Sequence, residues 1–447
     1  MGCAIRSERR LNSPSAWTTP LRTCSTWTAP TATPAHPWSP ASTSVRIPGW
    51  VRWNWPGALP KPAVEPGRAA AGSLALCCAL SLLGACAPAP EVRFHASAEY
   101  PQRLSDWGLI ERRGDRLVLG EGVLPYDVNT PLFADYAQKL RTVWLPPGRS
   151  ARFDADQAYD LPVGTLITKT FFYPTDGGIA QVAEGWDGQV ASLDLARARL
   201  VETRLLVRQA ERWEALAYVW RGDEAWLSIT GAIIPLPLAP LDGGAARAIN
   251  YMVPSRNQCA SCHVTGQEGD ALMPIGLTTR QLNRGYGGGP GNQIADFQAL
   301  GWLDGVSPAT EWARNADWVD PDESLVHLAR SYLDANCGHC HNPLGRADTT
   351  GLWLNIHHGP LRRLGLCKPP IAAGQGTGGR RYSIVPGQPD ASILEFRMAD
   401  DDPATRMPEI GRSIVHRRGL AVVSDWIAAL PNECAEPDYA GALVQGG

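Results

Sequence analysis

The sequence predicts an α+β multidomain chain: an N-terminal β-rich domain, a sandwich or small barrel, followed by a mainly α-helical region. Three observations predict it. Between residues 97 and 255, short β-branched and aromatic runs alternate in part between apolar and polar residues, as half-buried strands do. Composition then shifts near Ser255. Beyond about 320, apolar residues recur at helical rather than strand spacing.

The strand candidates are GTLITKTFFY (164–173), LVETRLLVR (200–208), RWEALAYVW (212–220) and AWLSIT (225–230). PTDGG and RGDE lie beside them and read as turns. After Ser255 comes a Gly-rich connection, GYGGGPG, which lacks the strand–turn–helix setting of a phosphate loop, and then a helix expected over 292–303. Leu325, Leu328, Tyr332 and Ala335 share a helical face, so a capped helix is expected from about Asp322. Two more are expected over 390–398, with Asp390 as N-cap, and over 419–431, ended by Pro431. The expected division is a leader over 1–86, a β-rich domain over 87–255, a first site segment over 256–320 and a second site domain over 321–447.

The 447 residues carry 41 Lys/Arg and 44 Asp/Glu, unevenly distributed. Residues 1–86 hold eight basic and two acidic side chains, leaving 33 basic and 42 acidic from position 87 on, a net −9. That acidic body argues against nucleic acid as a partner and suits a basic redox partner. The first 60 residues are rich in Trp, Thr, Ser and Pro without an apolar period, as in a disordered extension or an over-extended reading frame whose true start lies near residues 51–64. Arg68 then precedes AAAGSLALCCALSLLGAC, a basic residue followed by a short apolar run ending in small residues: a secretory signal. Its end, Leu83-Gly84-Ala85-Cys86, resembles a bacterial lipobox. This implies cleavage before Cys86, lipid on its thiol and, with Ala87 next, the outer membrane facing the periplasm.

Eleven cysteines sort by position. Cys3, Cys24, Cys77, Cys78 and Cys86 lie in the leader. Cys367 and Cys434 are left over toward the C-terminus, and in an exported chain two such residues are expected to pair. The other four form Cys259-x-x-Cys262-His263 and Cys337-x-x-Cys340-His341. On one helical turn such residues fall at i, i+3 and i+4 and share a face. Two thiols there can form thioethers with a haem, and the imidazole can reach its iron, the pattern of covalent haem attachment. Four-cysteine zinc is a rival, but 74 residues separate Cys262 from Cys337 where zinc ribbons use about 15–20. A dithiol redox motif is another, but no βαβ pattern surrounds either unit.

Beyond these two motifs, residues 97–432 resemble a family of exported bacterial diheme c-type cytochromes of undetermined role. PLFADYAQKLRTVWLPPG, LTTRQLNR, YLDANCGHCHNP, SIVPGQPDASILEFRM and MPEIGRSIVH carry the resemblance with the two haem motifs. It implies two covalently bound haem c groups, single-electron transfer in the cell envelope, redox partner proteins there and a loose link to a neighbouring β-helix protein. It also implies a cytochrome c-like fold for the helical region. The proximal iron ligands are then His263 and His341. The order of motif helix, long loop, Met407-Pro408 and terminal helix is similar to the class I cytochrome c layout, which makes Met407 the expected sixth ligand of the second haem. Met398, on an expected helix, is expected in the core. For the first haem Met273 is the candidate, with His95, His327, His357, His358 and His416 as alternatives, while His339 is expected to point away from iron. Electron transfer without substrate chemistry is the expected function. The alternatives are a diheme peroxidase or oxidase, and a haem-bearing subunit of an envelope oxidoreductase complex.

Overall fold

The β-branched and aromatic runs build most of the frame. The computed structural model describes residues 88–431 and 434, apart from 98, 184, 240–244, 265–271, 358–360 and 372. The signal and Cys86 therefore lie outside the described residues, as does His358. A hairpin of β1 (Ile110–Arg113) and β2 (Arg116–Leu119) precedes the main sheet. That sheet has nine strands. They are β3 (Leu124–Tyr126), β4 (Gln138–Trp144), β6 (Leu166–Asp176), β7 (Ile179–Gln181), β8 (Ala198–Arg208), β9 (Trp213–Arg221), β10 (Glu224–Leu227), β11 (Ala232–Ala239) and β12 (Arg247–Val253). A short parallel pair, β5 (Ala151–Arg152) with β13 (Leu303–Asp304), lies beside it.

Central β6 pairs antiparallel with β4 on one side and β8 on the other. It is buried along most of its length, which explains its nearly continuous apolar and Thr character. Its threonines bond across the ladder, Thr168 to Thr142 at 2.6 Å and Thr170 to Thr203 at 2.8 Å. The far end of β6 pairs with β7, which carries β11 and β12. The sheet curls there. Tyr251 of β12 reaches back to hydrogen-bond Glu202 of β8 at 2.7 Å and packs edge-on against Phe171 and Tyr173.

One face of the sheet buries Leu140, Leu205, Leu216, Tyr218 and Trp107. The other has two apolar ends. At one end Phe171, Val201 and Val219 pack under β11 and β12. At the other, Val143, Ile167 and Tyr126 pack against Leu277, Leu282, Ile294 and Phe297. The gap between those ends holds the candidate site.

The expectation of a mainly α-helical, cytochrome c-like second half is corrected here. The protein is mainly β, with seven short helices among the described residues. These are α1 (Arg256–His263), α2 (Thr279–Leu282), α3 (Gln293–Ala299), α4 (Leu325–Leu333), α5 (Leu361–Leu364), α6 (Ile393–Ala399) and α7 (Arg417–Ala428). Helical periodicity extends over windows of two or three turns only, and Gly and Pro between them hold the chain in turns and loops. Asp390 lies in a 3₁₀ turn, and the helix starts after Ser392. α4 and α7 pack closely. A Cβ on Gly419 would run into the Tyr332 ring, so only glycine permits this crossing.

Leu277, Leu282, Ile294, Phe297 and Leu303, from the segment expected as 256–320, complete the core at one end of the sheet. A separate cluster of Trp318, Leu333, Leu354, Val423, Trp426 and Ile427 lies under α4 and α7. Cys367 and Cys434 are joined by a disulfide across 67 residues. No helix of the described residues is long and apolar enough to cross a membrane.

Candidate functional site

Strand β12 runs through Pro254 directly into α1, which carries the first motif. Ser255 caps this helix. Its hydroxyl accepts from Gln258 N at 3.3 Å, and Gln258 Oε1 accepts from Ser255 N at 2.9 Å, a reciprocal capping box. Arg256 pairs with the buried carboxylate of Glu214 on β9, which Arg212 also engages at 2.8 Å. The helix is thus pinned to the sheet, and Cys259, Cys262 and His263 lie along it at i, i+3 and i+4.

The second motif sits differently. α4, capped by the Ser324 hydroxyl, widens into one turn of π-helix over Asp334–Gly338. Such turns often mark functional positions. Gly338 passes so close to Asn355 that a Cβ would lie 2.9 Å from its Cα. The chain then tightens, with Cys337 O accepting from Cys340 N at 3.1 Å and from His341 N at 2.9 Å.

Both motif imidazoles are neutral and oriented. His263 Nδ1 lies 2.6 Å from Met273 O. A carbonyl can only accept, so Nδ1 carries the proton and Nε2 keeps its lone pair. Burial lowers the His263 pKa to about 4. His341 reaches the same neutral state beside Thr350. The Thr350 hydroxyl donates to Ala347 O at 2.6 Å, so toward His341 Nδ1, 3.3 Å away, it must accept. Burial lowers the His341 pKa to about 4 as well. Among the described residues neither Nε2 has a hydrogen-bond partner.

The backbone of Met273 orients the His263 ring. Its N–H donates to His263 O at 2.8 Å while its carbonyl holds His263 Nδ1. Met273 also lines the cavity that His263 faces.

The two motifs meet. One ligand atom each from Cys262, His339 and Cys340 lies within 4.8 Å of the others. Cys340 Sγ also lies 3.3 Å from Ser261 O. Hydrogen bonding to Cys340 holds the Cys262 thiol well below the usual range and pushes Cys340 up. Burial raises Cys259, and raises Cys337 to about 12. These are the leading cysteines of the two pairs, and a raised pKa is the opposite of what thiol–disulfide exchange requires. His339 Nδ1 is buried with no hydrogen-bond partner among the described residues.

Beside this junction lies a cavity of about 530 Å³, within the usual range of roughly 300–1,000 Å³ for cofactor sites. Cys259, Cys262, His263, Cys337 and His339 line it, as do Met252, Met273, Met398 and Met407. His341 and Cys340 are not in its wall. Met398 is also part of the core under α7. The loop carrying Met407 lies against the second motif: Cys340 feels the Glu409 carboxylate, and Cys337 the Arg412 guanidinium. Two side chains hold this loop. Arg412 donates to the carbonyls of Met407, Arg397 and Asp400 at 3.0, 2.9 and 2.7 Å. Asp135, on a strained turn at φ 48°, accepts from Ser413 N and Oγ at 2.7 and 2.8 Å and from Ile414 N at 3.1 Å.

Among the remaining histidines, His327 has both nitrogens engaged, with Glu323 at 2.8 Å and Arg314 O at 3.1 Å, and so cannot ligate a metal. His95 Nε2 contacts Asp106 O at 3.3 Å, outside the cavity wall. His357, paired with Asp156 at 3.3 Å, and His416, stacked on Phe133 at 4.2 Å with Nδ1 3.1 Å from Tyr332 Oη, do line the cavity. Residue types alone do not reveal Thr350 or the Met273 carbonyl, because a backbone oxygen and a lone hydroxyl carry no motif. No family model, curated protein or solved structure matches this chain.

Proposed function

We propose that the chain is a diheme c-type cytochrome that passes single electrons in the cell envelope. The observation that carries this reading is the state of the two motif histidines. Each follows a Cys-x-x-Cys pair, each is neutral, and each has Nδ1 committed so that Nε2 is free to ligate. Orienting an imidazole through its second nitrogen is what a metal-ligating histidine needs. The donor set fits the group in kind: the cavity wall brings together the Cys259, Cys262 and Cys337 thiols, the His263 imidazole and four methionines, with Cys340 and His341 of the second motif just outside it.

In this reading Cys259 and Cys262 hold one haem and Cys337 and Cys340 the other, with His263 and His341 as proximal ligands. When bound, such a group supplies one-electron chemistry at iron. The chain's work is to hold the imidazoles, keep water from the cavity and present Met407 from a loop braced by Arg412 and Asp135. For the first haem, Met273, Met252, His357 and His416 of the cavity wall have suitable donor atoms.

The Cys262–His339–Cys340 cluster favours a second reading, a three-ligand metal site with an open fourth position. It uses the same thiols, so the two readings exclude each other. The deciding experiment expresses the chain with c-type haem maturation machinery and measures iron, zinc and covalent haem per chain. Two haems, reduced to one when either Cys pair is replaced by alanine, support the cytochrome. Stoichiometric zinc without haem, lost in His339→Ala, supports the metal site and rejects the cytochrome.

A further inference from the structure

Three basic side chains stand directly opposite one another on the cavity face of the sheet. Arg141 of β4 pairs in register with Lys169 of β6, and Lys169 with Arg204 of β8. Direct antiparallel partners share a face, so the three form a row across three strands. All three line the cavity. The ring of Phe171, two residues along β6, lies beneath them, 5.7 Å from Lys169 Nζ and 4.4 Å from the Arg204 guanidinium.

Like charges directly opposite in a sheet repel, and burial worsens it. The surroundings relieve only part of this. Arg204 is paired with Glu202 at 2.6 Å, and Arg141 is 3.9 Å from Asp127. Lys169 has neither an ion pair nor a hydrogen bond among the described residues, and burial with the two neighbouring guanidiniums lowers its pKa to about 7. The other acids on the cavity wall are engaged elsewhere, Asp156 with His357 and Asp334 with Asn315 and the Ile356 amide. Arg280, also on the wall, keeps a buried Nε without an acceptor among the described residues. The wall therefore has cationic donors in excess of its own acceptors.

The geometry points to an anion seat: the row Arg141–Lys169–Arg204 receives carboxylate groups brought into the cavity. Resting on the cytochrome reading, those carboxylates are the propionates of the haem held by α1, whose Cys259, Cys262 and His263 line the same cavity as the row. A small free oxyanion has the same chemistry and could occupy the same seat.

The test uses the haem-loaded chain with Lys169→Met, which removes the charge and keeps the length, and Lys169→Arg, which keeps the charge. Covalent haem is counted first, and absence of haem in the parent chain rejects the cytochrome reading rather than the seat. With haem present, the propionate bending bands in resonance Raman are expected to shift in K169M and to be retained in K169R, and K169M is expected to melt below the parent. If a free oxyanion is the occupant, acetate, nitrite or phosphate perturbs the parent's haem absorption saturably, with affinity about tenfold weaker in K169M, as loss of a charge-assisted hydrogen bond implies. The seat is overturned if K169M leaves the propionate bands unchanged, no anion perturbs either protein, and K169M melts above the parent. In that case the lysine was only an uncompensated charge.

Discussion

His263 and His341 reach the same state by different means, one through a backbone carbonyl and one through a hydroxyl whose proton is already committed. That difference is testable. Thr350→Val removes the acceptor for His341 Nδ1 and should destabilise the chain by about 1 kcal/mol in denaturant titration, the usual worth of one buried hydrogen bond. In the haem-loaded chain it should also raise the potential of one haem only, because an imidazole relieved of its hydrogen bond donates less strongly to iron. Both histidines also set a pH dependence in the chain without haem. Their folded pKa values are near 4, below the ordinary 6.5. Between those values the unfolded chain binds protons that the folded chain does not. Stability is therefore full above about pH 6.5, falls as pH drops toward 4 and levels off below it. Denaturant midpoints at pH 7 and 4.5 should differ less in His263→Gln than in the parent.

At the scale of elements, each motif depends on what anchors it. α1 is held by its capping box and by Arg256 against Glu214. Ser255→Ala should cost about 1 kcal/mol, measured by chemical unfolding. The Met407 loop depends on Asp135, whose carboxylate takes two backbone amides and a hydroxyl. Asp135→Ala should cost about 3 kcal/mol, since buried donors lose a charged acceptor. In the haem-loaded chain it should also weaken the methionine-to-ferric-haem charge-transfer band, as Met407→Ala should abolish it. An unchanged band in Met407→Ala would remove Met407 as a ligand. The strand runs were legible because alternation and β-branching act locally: residues 164–173 and 200–208 coincide with the body of β6 and β8. The helical half was misread because periodicity in a short window carries no information about the chain beyond that window. Here Gly and Pro confine each helix to a few turns and leave long loops between.

At the scale of the molecule, the sheet's cores draw in residues from beyond β12, while the cluster under α4 and α7 is separate. Residues 272–303 close one end of the sheet, and β11 and β12 fold over the other. The C-terminal elements are tied in by the Cys367–Cys434 disulfide, whose loop contains α6, the Met407 loop and α7. Replacing both cysteines by serine should cost about 4 kcal/mol in the chain-entropy model for a loop of this length, read as a shift in the unfolding midpoint. Reductant should move the parent to the same midpoint and leave the double variant unchanged.

The sequence by itself determined the chemistry available: two Cys-x-x-Cys-His units whose spacing is fixed by the covalent chain, and the strands whose patterning is local. Tertiary structure decided everything that depends on residues far apart in the chain. It set the Met273 carbonyl against His263 Nδ1 and brought His339 beside Cys262. It also aligned Arg141, Lys169 and Arg204, which lie 28 and 35 residues apart and become neighbours only through strand register. Register and backbone carbonyls have no signature in residue identity, because they arise only when the sheet is paired and its faces are buried.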